Sequence, residues 1–224
     1  MENRLQLKFQ GKKGLPAWAI THYLQQTEIN YIKIVLVQRI CDLIAGGLDP
    51  DRLLVASSSA DVFPKKAIAY EDFDEFEVLA RKGESAKEFW HIIGRHHRPV
   101  VFYESNNGYI PIYSYDDGNA LIIRNVGVNS PVSLNLEGVA GAVTDLYYAG
   151  EREQRQRLQW ENEQVGQTVR NVEDIARASE TVNRQGVHEG VRTYANAILE
   201  QALKRQEKLN QEIGMTNARI STRA

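Results

Sequence analysis

The chain has few of the residues that mark secreted proteins and nucleic-acid-binding proteins. Its 224 residues include one cysteine, and 27 basic side chains are balanced by 29 acidic ones. A lone cysteine forms no internal disulfide and no cysteine-based metal cluster, so we expect a protein of the reducing cytoplasm. The near-neutral charge argues against the overall positive field of a general nucleic-acid binder, although it permits a local basic patch.

Long uninterrupted apolar runs are also absent. The most apolar window, residues 29–48, is broken by Lys33, Gln38, Arg39 and Asp42, and charged side chains are costly inside a bilayer. The first residues mix charged and isolated apolar side chains and do not resemble a signal peptide. We therefore expect neither a membrane span nor export.

The N-terminal third shows two clear periodicities. Residues 4–9 alternate between polar and apolar, which predicts a β-strand. Pro16 suits the first position of a helix, and the apolar positions that follow remain dense until Gly46 and Gly47. The sequence therefore predicts one long helix from Pro16 to Ala45, apolar enough to be a central core element.

Two turn dipeptides organise the middle of the chain. Asn107-Gly108 and Asp117-Gly118 favour type I′ hairpin turns, and they predict a meander with strands at 100–104, 109–115 and 120–126. A further alternating segment follows at 132–136. With the first strand this predicts an α+β head over residues 1–150, with about five mostly antiparallel strands covered by the long helix.

The composition changes after residue 150. No proline follows, the only aromatic residues are Trp160 and Tyr194, and Glu, Gln, Arg and Asn become frequent. Apolar residues at helical spacing predict a coiled-coil-like hairpin of two long helices over residues 151–214, with its turn at 186–190. We expect a disordered tail at 215–224.

The predicted hairpin is uneven. At about 1.5 Å per residue, its first helix is longer than its second by about ten residues, so part of its apolar stripe needs another cover. That cover is either the head itself or another subunit. We expect the chain to form a homo-oligomer through this stripe. Its candidate self-association residues are Leu158, Trp160, Val165, Val169, Val172 and Ile175.

One cluster of titratable residues suggests chemistry. Glu88 precedes His91 by three residues, and His96 and His97 follow. Helical metal sites usually space their ligands by three or four residues, whereas His91 and His96 are five apart across a glycine. We favour a helix C-terminus at which these imidazoles interact with the helix dipole, and we expect no metal and no cofactor.

A second motif runs from a strand into a helix at residues 134–141, a context that can hold phosphate. The glycine patterns of dinucleotide-binding loops and P-loops are missing, and Glu137 would repel an anion. We therefore interpret Gly138 and Gly141 as positions of close packing against the sheet.

These observations favour a non-enzymatic, cytoplasmic interaction or scaffold protein. Its head would recognise a protein partner or ligand, and its C-terminal helices would self-associate. The alternative is a ligand-gated effector or an enzyme whose site lies around Glu88, His91, His96 and His97. Nucleic-acid binding is disfavoured because basic and acidic residues alternate along the arm.

Overall fold

The computed structural model describes residues 4–58, 66–113, 120–127, 130–150 and 178–222. The helices are α1 (Ala17–Ala45), α2 (Ala86–Arg95), α3 (Ala140–Tyr147), α4 (Ala178–Val182) and α5 (Glu189–Glu212), with 3₁₀ helices at Pro50–Arg52, Tyr70–Glu75 and Tyr148–Gly150. The strands are β1 (Arg4–Gln10), β2 (Leu53–Ser58), β3 (Phe76–Arg81), β4 (Val100–Ser105), β5 (Gly108–Pro111), β6 (Ile122–Gly127), β7 (Ser133–Val139) and β8 (Thr216–Thr222).

The strands form two antiparallel sheets, so the prediction of about five strands in one sheet was wrong. Sheet A has the order β6-β7-β1-β8, and sheet B has the order β3-β2-β4-β5. The predicted hairpin at Asn107-Gly108 is present between β4 and β5. The third strand of the predicted meander instead pairs with β7 in sheet A. Strand partners are chosen by tertiary packing, which the local turn signals do not specify.

The chain divides into two compact units. Unit 1 contains Met1–Val35, Ala120–Ala178 and Leu199–Ala224, whereas unit 2 contains Leu36–Asn119 and Ser179–Ile198. Sheet A lies in unit 1 and sheet B in unit 2. Helices α1 and α5 each contribute residues to both units.

Strand β1 is one of the two central strands of sheet A, in unit 1. Its register pairs Leu7 with Leu136 of β7 and with Ile220 of β8. Leu5, Leu7 and Phe9 are buried on one face, as expected when apolar residues recur at every second position. The intervening polar residues therefore lie on the opposite face of the sheet.

Buried polar side chains join α1 to α5 within unit 1. Gln206 of α5 donates to Thr27 Oγ1 at 3.1 Å and accepts from Asn30 Nδ2 at 3.1 Å. Asn210 accepts from Tyr23 Oη at 3.1 Å. Buried polar groups need such partners, so these contacts specify how α5 packs on α1.

The predicted long C-terminal hairpin was therefore wrong. Within the described residues, α4 has five residues and the single longer C-terminal helix is α5, Glu189–Glu212. The apolar periodicity of α5 predicts a contact with a neighbouring arm helix. Its residues from Leu199 onward serve the core of unit 1 instead, because tertiary packing determines which face an amphipathic helix covers.

The C-terminal segment, for which we expected disorder, contains β8. Residues Thr216–Thr222 pair with β1 and extend sheet A by one strand. Ala218 and Ile220 alternate with polar residues there, which is the pattern of a half-buried strand.

Unit 2 has an aromatic core on sheet B. Phe73, Phe76, Phe102 and Tyr109 are buried together with Leu54. The rings of Phe73 and Phe76 are stacked with centroids 5.1 Å apart, and Phe102 packs edge-on against both. Ser85 is the N-cap of helix α2, since its Oγ accepts the N–H of Glu88 at 3.2 Å.

The proposed self-association residues lie outside the described residues. Leu158, Trp160, Val165, Val169, Val172 and Ile175 all fall within 151–177. No helix in the described part of the chain is long and apolar enough to cross a membrane.

Candidate functional site

A polar row crosses sheet A on the face opposite its apolar core. In register, Asn125 of β6 pairs with Asn135 of β7, Asn135 with Lys8 of β1, and Lys8 with Arg219 of β8. Because strand neighbours in register point to the same face, four adjacent strands present two amides and two cations side by side.

A cavity of about 650 Å³ lies over this row. Its volume falls in the usual range for small-molecule sites. All its lining residues belong to unit 1; they are Lys8, Phe9, Gln10, Asn125, Ser133, Leu134, Asn135, Asn217 and Arg219. We call it the sheet A cavity.

The charge of the sheet A cavity has one sign. Lys8 and Arg219 contribute positive charge, and none of the described residues that line the cavity is an aspartate or a glutamate. Like charges directly opposite one another on neighbouring strands repel. An anion placed between Lys8 and Arg219 would relieve that repulsion and accept charge-assisted hydrogen bonds from both side chains.

Two side-chain amides of the cavity, Asn217 and Asn135, differ in their hydrogen bonds. Asn217 donates to Gln10 Oε1 at 2.8 Å, and its φ of 52° is in the left-handed region that asparagine tolerates better than most residues. Asn135 Oδ1 is buried and accepts no hydrogen bond from the described residues. A ligand hydroxyl or N–H would satisfy this oxygen.

Beside the cavity, Glu137 holds two arginines. Its Oε1 accepts from Arg4 Nε at 3.0 Å, and its Oε2 accepts from Arg124 Nε at 2.8 Å and from Gln6 Nε2 at 3.3 Å. These hydrogen bonds, that from Arg124 foremost, lower the pKa of Glu137 from 4.5 to about 2. The carboxylate therefore stays ionised and neutralises one of the two guanidinium charges. Among the described residues that line the cavity itself, Lys8 and Arg219 carry the positive charge.

The histidine cluster is not assembled as a site. Glu88 and His91 are exposed on α2, and His96 and His97 are exposed where that helix ends. The N–H of His96 closes the helix on Ile92 O at 2.9 Å. Among the described residues, no group of three or more His, Cys, Asp or Glu side chains is placed to hold a metal ion.

Gly138 of the strand-to-helix motif serves close packing, as predicted for this residue. A Cβ atom built on Gly138 would lie 2.6 Å from Cε2 of Tyr31. The hydroxyl of Tyr31 accepts the backbone N–H of Val139 at 2.8 Å. Only glycine allows the tyrosine ring to approach this strand so closely.

Sequence reasoning missed the residues of the sheet A cavity. Alternation in β1 and β7 identifies Lys8 and Asn135 as residues of the non-core face, but the pairing that makes them neighbours is non-local. The signal that could locate Arg219 is the alternation of polar and apolar residues in Thr216–Thr222, which lies within the segment for which we expected disorder.

Comparison of the chain with protein-family models, with curated proteins and with solved structures found no match.

Proposed function

We propose that the protein is a recognition protein whose sheet A cavity binds a small phosphorylated ligand that carries hydroxyl groups, such as a sugar phosphate. The observation that carries this proposal is the facing pair of Lys8 and Arg219 in a cavity whose described lining residues include no carboxylate. Phosphate suits two adjacent cations because it accepts several charge-assisted hydrogen bonds at once. The unsatisfied Asn135 Oδ1 favours a hydroxyl on the same molecule.

Calorimetric titration tests the proposal with a panel of pentose and hexose phosphates, the matching free sugars and inorganic phosphate. We expect a sugar phosphate to bind more tightly than either of its parts. Lys8→Gln and Arg219→Gln should each weaken binding by roughly tenfold or more, because each removes a hydrogen bond from a charged donor. Added salt should also weaken binding.

The matched control is Lys13→Gln. Lys13 is exposed in unit 1 and does not line the cavity, so its replacement should leave affinity unchanged. The proposal fails if no sugar phosphate binds, or if Lys8→Gln and Arg219→Gln bind as well as the parent. If inorganic phosphate and sugar phosphate bind equally well, the anion site is supported, but the proposed hydrogen bond from a ligand hydroxyl to Asn135 is rejected.

Self-association remains part of this proposal. We propose a cytoplasmic homo-oligomer that joins through residues 158–175 and does not depend on nucleic acid. The combined replacement of Leu158, Val165 and Val172 by serine should lower the solution mass, measured by light scattering after size exclusion, while the circular dichroism spectrum shows a folded protein. An unchanged mass would reject this interface.

The full chain has to be used in that experiment. Strand β8 pairs with β1, and Gln206 and Asn210 of α5 bond to α1. A chain that ends at residue 150 would lose these parts of unit 1 and would not report on the oligomer interface alone.

A further inference from the structure

A second cavity, of about 400 Å³, lies within unit 2. Three helical segments begin beside it: the 3₁₀ helix at Pro50, α2 at Ala86, and α5, whose first turn includes Gly190. Its polar and aromatic lining residues are Asp49, Asp51, Lys82, Trp90, His188 and Tyr194. We call it the helix-start cavity.

The beginnings of α2 and α5 make one side of this cavity suited to an oxyanion. Backbone N–H groups in the first turn of a helix have no acceptor within the helix, and the helix dipole is positive at that end. Ala86 and Gly190 belong to these first turns. Every helix has such a start, so this feature alone does not mark a ligand site.

Trp90 is a buried residue of the cavity wall with a hydrogen-bond donor that is unsatisfied within the described chain. The residue is 2% exposed, it forms part of the cavity wall, and its Nε1 donates no hydrogen bond to the described residues. A buried indole N–H normally has an acceptor. The missing acceptor indicates that a ligand oxygen binds to this N–H group.

Two acidic residues, Asp49 and Asp51, also line the cavity and bring negative charge to it. Asp51 Oδ1 pairs with Lys82 Nζ at 2.7 Å, so these two charges balance. Asp49 is exposed, and within the described chain its Oδ1 accepts the backbone N–H of Asp51 at 3.0 Å. Its carboxylate retains net negative charge, which suits a ligand cation.

These features suit a molecule with both charges. We propose that the helix-start cavity binds a free amino acid, with the ligand carboxylate toward Trp90 and the helix starts and the ligand ammonium toward Asp49. The cavity volume is sufficient for such a ligand with a side chain. This site is separate from the sheet A cavity and does not depend on the function proposed for it.

The test is a calorimetric titration of the full chain with the standard free amino acids. Each amino acid that binds is compared with the amine that lacks its carboxylate and the acid that lacks its ammonium. We expect each analogue to bind at least tenfold more weakly than the parent amino acid. No binding of any amino acid would overturn the proposal, as would equal binding of an analogue.

Substitutions locate the site. Trp90→Phe keeps a ring and removes the N–H, and Asp49→Asn removes the charge, so each should weaken amino-acid binding by roughly tenfold. Trp18→Phe is the matched control, because Trp18 is 71% exposed and belongs to unit 1. Undiminished binding by Trp90→Phe and Asp49→Asn would overturn the proposal.

A third variant tests the same cavity without replacing the buried Trp90. A Cβ on Gly190 would meet no atom within 4 Å, and leucine is a better helix former than glycine. Gly190→Leu should preserve the fold and obstruct the cavity, abolishing amino-acid binding. If a folded Gly190→Leu protein binds as the parent does, the ligand does not occupy this cavity. Lys8→Gln should leave amino-acid binding unchanged, which separates the two proposals.

Discussion

Lys8 of β1 and Arg219 of β8 are register partners in sheet A, and both side chains are exposed. Cross-strand partners have Cβ atoms about 5 Å apart, so two like charges in this position repel. This repulsion destabilises the free protein. A bound anion would relieve it, and the relief would contribute to the binding free energy.

Lys8→Gln should therefore stabilise the free protein. We expect the free energy of unfolding to rise by about 0.2–1 kcal/mol at low salt, with the gain disappearing at high salt because salt screens exposed charges. Urea unfolding at two salt concentrations measures this, with Lys13→Gln as the control. A Lys8→Gln protein that is less stable than the parent at low salt would show that the pair is not repulsive.

Glu137 should make stability depend on acid pH. Its folded-state pKa, about 2, lies below its ordinary value of 4.5, so its stabilising effect is complete above about pH 4.5 and is lost as the pH falls toward 2. Glu137→Gln should be less stable than the parent by about 1–3 kcal/mol at neutral pH. This difference should shrink between pH 4.5 and pH 2.

Urea unfolding across that pH range, with both proteins measured side by side, checks the prediction. Glu71→Gln provides a matched control, since Glu71 is an exposed glutamate of unit 2. A constant difference between Glu137→Gln and the parent over the whole range would contradict the proposed linkage.

The elements that sequence reasoning located correctly depend on local signals. Strand β1 follows from alternation, and α1 follows from a dense apolar run ended by Gly46 and Gly47. Each signal lies within the element or at its end, where backbone and side-chain preferences act directly.

The errors came from pairing between distant segments. Nothing near β8 specifies that it joins β1, and nothing near α5 specifies that Gln206 meets Asn30 of α1. The two cations of the sheet A cavity become neighbours through the first of these pairings. The candidate site therefore could not be assembled before the sheet order was known.

Gly138→Ala should destabilise unit 1. The added methyl group would approach the fully buried ring of Tyr31 to 2.6 Å, and overpacking of this kind costs about 1–3 kcal/mol. Gly190→Ala is the matched control: its methyl group meets open space and alanine favours helix, so we expect a neutral or slightly stabilising effect. Chemical unfolding compares the two. Equal stabilities would mean that the Tyr31 contact is not restrictive.

Lys33 should impose an alkaline pH dependence on unit 1. Its side chain is buried, and burial together with the nearby charge of Arg205 lowers its pKa from 10.5 to about 8. The unfolded chain therefore binds this proton more tightly than the folded chain does. It follows that the contribution of Lys33 to stability becomes more favourable as the pH rises from about 8 to 10.5.

Lys33→Met removes this titration while retaining a long apolar side chain. It should be more stable than the parent by about 1–3 kcal/mol at neutral pH, because no charge is then buried. This advantage should decline between pH 8 and pH 10.5. Burial also raises the pKa of Tyr23, so its ionisation lowers the stability of both proteins at alkaline pH. Comparing the parent with Lys33→Met cancels this shared effect. The control is Lys208→Met, at an exposed position, whose stability relative to the parent should show no such decline. A stability advantage of Lys33→Met that does not change with pH would contradict the burial of a titrating lysine.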